Sequence, residues 1–387
     1  MRYNIAYITS TNPKDRGISS GVHYYQSRAL HQHCGDVHYL GPVKSLKVKL
    51  LKKIFNGIRR LIPGKKFKHS YNITLSKIYG RFFSEKLKGK EYDFVFADKM
   101  APEIAFLKTE IPIIYSTDAT FKLLHNYYPG YTNLIKLSIQ HGHKHTQLAL
   151  NNASLVICTS QWAANSVIND YKFPEGKVHV LPRGANIDKL PVRERILNKS
   201  KTDTCRLLFM GREWKRKGYD IAYKTMNYIR SKGLKVHMTA IGFVPPKELT
   251  DKDVHVIPYL NKNTVEGRKR FDEIMLQADF YLLPTRAECL AIGICEAAAY
   301  GLPVIATDTG GVTEILKNSI NGYALSPDAD HREYGNKIIS LFKSDKVYYQ
   351  MVKNSRSFFE EKLNWDTWGK EMKVILDEFY SGKKIKT

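Results

Sequence analysis

Short apolar runs alternate with amphipathic helical patterns along most of the chain, and turn residues separate them. Residues 3–10, 154–160 and 280–283 are such runs, and a short apolar run bounded by Gly, Pro or Ser is typical of a buried parallel strand. Strands that alternate with helices predict an α/β protein with parallel sheets. The alternation restarts at Cys205 after the polar stretch 188–204, which predicts two domains joined by a linker.

Residues 278–305 form the most informative unit of this alternation. Its apolar strand ends at Pro284, a loop follows that carries Glu288, and an Ala-rich helix is predicted over residues 290–300. Ligands of open α/β sheets bind at the carboxyl ends of the strands. Backbone N–H groups at the start of a helix suit a phosphate, and here the sequence predicts that they belong to Leu290, Ala291, Ile292 and Gly293.

Two carboxylates flank this turn. Glu288 precedes the predicted helix, and Glu296 follows it by eight positions, inside the helix. An interaction with the helix dipole would explain Glu288, and a solvated surface position would explain Glu296. Glu296 nevertheless stands among apolar neighbours, so we expect it to be partly buried and to have a hydroxyl or cationic partner.

The spacing of Glu288 and Glu296, followed by Gly301-Leu-Pro-Val-Ile and Thr309-Gly-Gly-Val-Thr-Glu314, resembles the retaining GT-B glycosyltransferases of family 4. Looser matches extend the resemblance over residues 3–22 and 90–380. It implies two Rossmann-like domains that face each other across a central cleft. The implied activity is transfer of a sugar, with retention, from a nucleotide diphosphate sugar to an acceptor hydroxyl.

The resemblance also implies domain bounds. An acceptor-side domain is expected over residues 1–187, the linker over 188–204 and a nucleotide-sugar-binding domain over 205–362. The last helix, in residues 363–387, is expected to cross back to the first domain, with Trp365 and Trp368 as anchors.

By the same resemblance, Glu288 contacts the donor sugar and Glu296 binds the ribose hydroxyls. Arg212 and Lys217 follow the first strand of the second domain, where cations stabilise the charge that develops on a departing diphosphate. Because no metal motif is evident, these cations are expected to act without a divalent ion. The donor is expected to be UDP- or GDP-linked, and the other candidates on the donor side are Gly21, Gly211 and, for stacking on the base, Tyr259 or Phe243.

Asp118 is the candidate on the acceptor side. It follows a predicted strand, where a carboxylate can hold or deprotonate an acceptor hydroxyl. Many family members have a His-Asp pair here, whereas this chain has Thr117-Asp118. The alternative is that Asp118 is the N-cap of the following helix. His141, His143 and His145 lack HExxH spacing and nearby carboxylates, so a structural or surface cluster is favoured over a metal site.

The distribution of charge along the chain is a second informative feature of the sequence. The chain carries a net charge of +24, and residues 1–190 contain 28 Lys+Arg against 12 Asp+Glu. Such an excess indicates a polyanionic partner for the first domain. The hydrophobic content of 43%, the mean hydropathy of −0.37 and the lack of a long apolar run predict a soluble protein without a membrane span. Five scattered cysteines are typical of a reducing cytosol.

Much of this charge lies in residues 44–68, which contain ten Lys+Arg and no acid. A helical wheel predicts a basic amphipathic helix ended by Pro63-Gly64. Such a helix suits an anionic membrane surface, and a core-packed helix with a solvated basic face is the alternative. Nucleic acid is not the expected partner, because it would need interleaved aromatics or a known motif and neither is clear in this stretch. The predicted apolar face is Leu51, Ile54, Phe55, Ile58, Leu61 and Ile62, and the basic face is Lys49, Lys52, Lys53, Asn56, Arg59 and Arg60.

The expected acceptor is therefore a membrane-associated glycolipid, such as a polyprenol diphosphate-linked glycan or a lipopolysaccharide core, or another cell-surface polysaccharide precursor. The expected location is the cytoplasm, with peripheral attachment to the inner face of the cell membrane. Two alternatives stay open. The acceptor could be soluble, or the chain could be a non-catalytic polyanion-binding protein on the same scaffold.

Overall fold

A computed structural model describes residues 1–60 and 64–384 of the chain. The chain forms two compact units, one of Met1–Leu181 with Trp368–Thr387 and one of Pro182–Thr367. The segment expected as a linker, 188–204, thus falls in the second unit. The physical reason is Ile196, which is buried in the apolar core of that unit.

The first unit contains a six-stranded parallel sheet in the order β2-β1-β3-β4-β5-β6. The chain reverses direction across the sheet between β1 and β3, so the loops after these two strands meet at a topological switch point. Its strands are β1 Tyr3–Ile8, β2 Gly35–Tyr39, β3 Phe94–Asp98, β4 Ile113–Thr117, β5 Leu155–Cys158 and β6 Val178–Val180. Its helices are α1 Val22–His33, α2 Leu46–Arg60, α3 Ile73–Leu87, α4 Ala101–Ile104, α5 Phe121–Leu124, α6 Lys136–Asn152 and α7 Gln161–Asn169.

The second unit contains another six-stranded parallel sheet, in the order β9-β8-β7-β10-β11-β12. This order places the switch point between the central strands β7 and β10. Its strands are β7 Thr204–Met210, β8 Lys235–Ile241, β9 Val254–Ile257, β10 Phe280–Leu283, β11 Val304–Thr307 and β12 Gly322–Leu325. Its helices are α8 Arg193–Leu197, α9 Trp214–Lys217, α10 Tyr219–Ser231, α11 Val265–Gln277, α12 Ile292–Ala299, α13 Val312–Ile315, α14 His331–Lys343 and α15 Asp345–Glu361.

The last helix, α16 Trp365–Lys384, continues into the first unit from Trp368 onward. There Trp368 packs edge-on against Phe96 of β3, with ring centroids 6.2 Å apart. The hydroxyl of Tyr3 in β1 donates to Asp377 at 2.5 Å. These contacts tie the end of the chain to the start of the sheet.

Helix α2 carries apolar residues on two opposite sides. Val48 is buried, and Phe55 packs edge-on against Phe67 at 5.5 Å between centroids. Ile54, which the wheel placed on the same apolar face as Phe55, is 48% exposed, because it lies about 100° around the helix from Phe55. It continues an outward stripe in which Leu50 is 60% and Leu46 83% exposed. We call Leu46, Leu50 and Ile54 the leucine stripe.

Part of the predicted basic helix lies outside the described residues. Leu61 and Ile62 of the apolar face, and the Pro63 stop, lie outside the described residues, as do the side chains of Ile58, Asn56, Arg59 and Arg60. Within the described part of the chain, no helix is both long enough and apolar enough to cross a lipid bilayer.

Candidate functional site

The candidate site of the second unit is built from the loops that follow β7 and β10. The two strands are neighbours, with Leu207 opposite Phe280 and Leu208 opposite Tyr281. Because both run in the same direction, their carboxyl ends meet at one edge of the sheet. The loop after β7 continues into α9, and the loop after β10 leads to α12.

Glu288 is the centre of this edge. It is only 8% exposed, and its Oε2 accepts from Lys217 Nζ and, at 3.2 Å, from Arg216 Nη1. Burial on its own would raise the pKa of this carboxyl, but the two cations outweigh burial and hold it below the ordinary value. Glu288 is therefore an ionised carboxylate in a nearly closed environment.

The surrounding loop is pinned to α9. Arg216 Nη1 also donates to the carbonyl of Ala287 at 2.6 Å, and Thr285 Oγ1 donates to the carbonyl of Arg216. Arg286 makes a bidentate pair with Asp220, at 2.8 and 2.7 Å. These cross-links fix the position of Glu288 relative to Lys217, which lies 71 residues earlier in the chain.

Two glycines permit this close approach. A Cβ on Gly211 would lie 2.7 Å from Lys217 Cγ, so the absence of a side chain lets the lysine pass over the end of β7. Gly218 has φ +78° and ends α9, and a Cβ there would lie 1.8 Å from the carbonyl oxygen of Pro284. Only glycine combines this conformation with such a contact.

The helix behind Glu288 begins later than the sequence indicates. Helix α12 starts at Ile292, and Ala291 before it has φ +69°, a left-handed conformation that L-residues rarely adopt. Leu290 and Ala291 therefore belong to the turn, whereas Ile292 and Gly293 form the first helical positions. A Cβ on Gly293 would lie 2.7 Å from the hydroxyl of Tyr281, so the turn packs tightly on β10.

Glu296 has the cationic partner that its apolar context predicted. It is 7% exposed, and Lys262 Nζ lies 2.6 Å from its Oε1. The same ammonium group lies 4.4 Å from the centroid of the Phe271 ring. The backbone of Lys262 is held in turn, because its carbonyl accepts from Arg268 at 3.1 Å and Arg268 pairs with Asp188. The predictions of burial and of a hydroxyl or cationic partner are confirmed, and the partner is a cation.

Three further predicted residues occupy different environments. Arg212 is exposed in the loop after β7. Tyr259 follows β9 and is 61% exposed. Phe243 is 7% exposed and packs edge-on against Tyr219 at 4.7 Å between centroids, so it is a core residue and the expectation that it stacks on a base is wrong.

In the first unit, the predicted residues follow β1 and β4, at the carboxyl edge of the sheet. Gly21 has φ +83° and precedes α1. Asp118 follows β4, and its Oδ2 lies 3.6 Å from Nζ of Lys99, which follows the neighbouring strand β3. The N-cap alternative for Asp118 is wrong, because Thr120 caps α5 by accepting from the N–H of Leu123.

A buried polar network lies beneath this edge. His23 Nδ1 is 3.0 Å from the hydroxyl of Tyr7 and 4.0 Å from Oδ2 of Asp98, and all three residues are buried. Glu103 is also buried, and burial raises the pKa of its carboxyl, an effect that hydrogen bonding with Ser10 opposes. The carboxyl edge of this sheet therefore holds several ionisable groups with restricted access to water.

The histidines of α6 form a structural cluster. His145 is fully buried and its Nδ1 lies 2.6 Å from the carbonyl oxygen of His141. Burial lowers the pKa of His145 to about 4. His143 Nδ1 lies 3.1 Å from the hydroxyl of Tyr171. Among residues 1–60 and 64–384, no group of three or more His, Cys, Asp or Glu side chains is arranged to hold a metal ion.

Sequence reasoning missed Arg216, Lys262 and Lys99. Arg216 stands in the run Lys215-Arg216-Lys217, where no sequence signal distinguishes the cation that turns inward. Lys262 lies 34 residues from Glu296. Lys99 has φ +56°, which is uncommon for a lysine, but the sequence gives no sign of that conformation.

Two family models match the chain. One, described as Glycosyltransferase Family 4, matches residues 22–189, and the other, described as Glycosyl transferases group 1, matches residues 204–344. The two matches cover most of both units. The chain belongs to glycosyltransferase family 4.

The curated relatives of this family-4 chain are distant. An uncharacterized glycosyltransferase of Methanocaldococcus jannaschii is 26% identical over 63% of this chain and 65% of the relative. The amylovoran biosynthesis glycosyltransferase AmsK of Erwinia amylovora is 22% identical over 53% of this chain and 51% of the relative. The chain therefore spans between half and two thirds of the length of these relatives.

Solved structures match the family-4 chain over almost its whole length. Sucrose-phosphate synthase from Thermosynechococcus elongatus has a TM-score of 0.71 at 15% identity and covers 98% of this chain and 100% of its own. HepE of Anabaena, in complex with UDP and glucose, has a TM-score of 0.65 at 16% identity, with coverage of 97% and 100%. WaaG, a glycosyltransferase involved in lipopolysaccharide biosynthesis, has a TM-score of 0.64 at 16% identity, with coverage of 96% and 99%. The shared architecture is the GT-B fold.

Proposed function

We propose that the protein transfers a sugar from a nucleoside diphosphate sugar to a hydroxyl of a glycan or glycolipid, with retention at the anomeric carbon. In this reaction the bond from the anomeric carbon to the diphosphate breaks and a bond to the acceptor oxygen forms. The acceptor loses its proton and the nucleoside diphosphate leaves. The observation that carries the proposal is Glu288, a buried carboxylate held ionised by Lys217 and Arg216 at the switch point.

The arrangement suits a diphosphate leaving group. Lys217 and Arg216 are cations beside the turn of Leu290–Gly293, so an incoming diphosphate would meet positive charge and N–H donors together. In this proposal Arg212 adds a third cation from the same loop. Once the cations turn toward the diphosphate, Glu288 is left as a carboxylate that can face the sugar and stabilise positive charge at its anomeric carbon.

Glu296 is proposed to bind the ribose hydroxyls, since a buried carboxylate accepts hydrogen bonds strongly from a diol. Tyr259 is proposed to stack on the base. Gly21 is proposed to let the loop after β1 approach the donor phosphates and the acceptor, and Asp118 is proposed to serve the acceptor side. A UDP-linked donor is the first to test because HepE was solved with UDP and glucose. A GDP-linked donor is the alternative, and no divalent metal is expected to be required.

The test is donor binding and turnover in a pair of matched variants. We expect UDP or GDP to raise the melting temperature of the protein and one nucleotide sugar to be consumed when an acceptor is supplied. Glu288→Gln is expected to lower kcat by roughly two to three orders of magnitude, because it removes a charge that acts in the transition state.

The control is Glu213→Gln, since Glu213 also pairs with Arg216, at 2.6 Å, but is exposed to solvent. Its activity is expected to stay within about threefold of wild type, as for other surface changes. Failure of every nucleotide to shift the melting temperature would reject the enzyme and favour the polyanion-binding alternative.

We also propose that the acceptor lies at an anionic membrane surface, in the assembly of a cell-surface polysaccharide or lipopolysaccharide, and that the protein attaches peripherally to the inner face of the cell membrane. Names of the relatives, such as AmsK and WaaG, favour this setting. The leucine stripe favours it physically, because a core-packed helix would bury its leucines. Exposed Lys49 and Lys53 beside the stripe match anionic headgroups.

Vesicle flotation tests this attachment. Replacing Leu46, Leu50 and Ile54 by Ser is expected to lower binding to phosphatidylglycerol-containing vesicles by about tenfold or more, because each side chain loses about 1 kcal/mol or more of apolar transfer. The matched control replaces Val265, Val347 and Val374, which are also exposed, by Ser. Equal flotation of the two triple variants would show that α2 is not the anchor.

A further inference from the structure

Helices α2 and α3 enclose a groove on the surface of the first unit. Its volume is about 670 Å³, within the ~300–1,000 Å³ that is usual for ligand cavities. Ile78 and Phe82, one helical turn apart on α3, are half-buried and form its apolar floor. An apolar floor suits a hydrocarbon chain, because covering these two side chains with the chain leaves no polar group of theirs without a hydrogen-bond partner.

The rim of the groove is basic. Lys47 comes from α2, and Lys77, Arg81 and Lys86 come from α3, against one acid, Glu85. Within the described part of the chain no ion pair engages these four cations. Lys77 and Arg81 are one turn apart and both exposed, so their charged ends can approach one anion together.

The groove and the leucine stripe both involve α2. Lys47 lines the groove and is the neighbour of Leu46, the most exposed member of the stripe. If the stripe enters the apolar part of a bilayer, Lys47 stays at the level of the phosphates, because a lysine keeps its ammonium group in the polar layer while its stem covers apolar surface. The mouth of the groove then lies where phospholipid headgroups are.

An apolar floor below several cations matches one kind of occupant, an amphiphile with a single chain in the groove and a negative head at the rim. We propose that the α2–α3 groove binds one acyl chain and the phosphate of an anionic glycerophospholipid taken from the membrane. This inference rests on the membrane attachment proposed above. It adds a lipid-selective site on α3 to the non-selective contact made by α2.

The test uses the whole protein and a lipid that is not in a bilayer. Phe82→Trp places a fluorophore on the floor, and the wild-type protein gives the background of its four native tryptophans. The probe is a short-chain phosphatidylglycerol with brominated acyl chains, kept below its micelle concentration. We expect saturable quenching of the added fluorophore, and binding about tenfold weaker for the phosphatidylcholine analogue with the same chains.

Two charge variants in the Phe82→Trp background complete the test. Lys77→Glu with Arg81→Glu is expected to weaken binding about tenfold or more. Lys224→Glu, on α10, with Lys232→Glu, immediately after α10, makes the same change of charge in the second unit and is expected to leave binding within about twofold. If Phe82→Trp does not fold, as judged by circular dichroism, Ile78→Trp replaces it as the reporter.

Three results would overturn the proposal: no saturable quenching, equal quenching by the phosphatidylcholine analogue, or quenching insensitive to reversal of Lys77 and Arg81. Tighter binding of an isoprenoid phosphate of equal length would overturn the assignment to glycerophospholipid. Flotation and the nucleotide-induced thermal shift are measured on the same variants. If these persist while quenching fails, only the groove is rejected, whereas loss of the thermal shift in wild type would reject sugar transfer independently.

Discussion

At the scale of single residues, the donor-side candidates occur as ion pairs. Glu288 and Glu296 are both almost fully buried. Lys217, at the end of α9, holds Glu288, and Lys262, in the loop after β9, holds Glu296. A buried carboxylate without a cation would be costly. The lysines therefore do more than contribute charge, because Lys217, with Arg216, holds the pKa of Glu288 below its ordinary value and Lys262 gives Glu296 a cationic partner.

Lys262 is predicted to be a positioning residue for Glu296. We expect Lys262→Met to raise the KM for the donor about tenfold with little change in kcat, because it would disturb the proposed binding of the ribose by Glu296 and not the reacting atoms. Lys262→Arg is expected to restore most of the binding, since it preserves the charge. The measurement is donor kinetics together with the affinity for the free nucleotide.

The matched control for this prediction is Lys269→Met, an exposed lysine of α11. Equal effects of the two variants would mean that Lys262 acts only through general charge. An unchanged KM in Lys262→Met, alongside a raised KM in Glu296→Gln, would mean that Glu296 does not need its lysine.

At the scale of elements, close backbone contacts decide where the site residues go. The turn from α9 to α10 passes within contact of Pro284 only because Gly218 lacks a side chain and has a left-handed conformation. Lys217 is the residue immediately before this turn. The geometry around Glu288 thus depends on the packing of α9 against the loop after β10.

Comparison of Gly218→Ala with Gly233→Ala separates the cost of a left-handed backbone from the cost of a steric contact made by the added Cβ. Both glycines have nearly the same φ, +78° and +81°, but a Cβ on Gly233 meets nothing within 4 Å. We expect Gly233→Ala to cost roughly 1 kcal/mol of unfolding free energy from the left-handed backbone alone. Gly218→Ala is expected to cost about 1–3 kcal/mol more, because the backbone must move.

Chemical denaturation followed by circular dichroism measures this difference. Gly218→Ala is also expected to lose donor binding, whereas Gly233→Ala should retain it. Similar stability losses in the two variants would show that the contact with Pro284 relaxes without cost.

At the scale of the whole molecule, the GT-B architecture is combined with an uneven distribution of charge. Each unit supplies one parallel sheet with a switch point, yet residues 1–190 carry 28 of the 61 Lys+Arg and only 12 of the 37 Asp+Glu. The field of the first part of the chain is therefore strongly positive, which favours association with an anionic surface.

Association with anionic vesicles is predicted to depend steeply on salt. Raising NaCl from about 50 mM to about 500 mM shortens the Debye length from about 14 Å to about 4 Å, so flotation should fall by about tenfold or more. The thermal shift with the nucleotide, whose site is partly buried, should change much less. Flotation that does not respond to salt, or equal binding to neutral vesicles, would contradict an electrostatic contribution.

The sequence by itself determined the class of fold, because a strand followed by a turn and a helix is recorded locally in apolar runs, prolines and glycines. The sequence also indicates which stretch carries the candidate site and that Glu296 is buried with a hydroxyl or cationic partner, since the apolar residues around Glu296 are its neighbours in the chain. These inferences need only short-range patterns.

The tertiary structure, and not the local sequence, determines which charged side chains form ion pairs. The pairing of Glu288 with Arg216 spans 72 residues and that of Glu296 with Lys262 spans 34, and a basic chain offers many equivalent lysines and arginines for each. Tertiary packing likewise placed Phe243 in the core and made Thr120 the cap of α5, the role that was the alternative for Asp118. In each case the deciding contact comes from a distant segment or from side-chain geometry, which local periodicity does not specify.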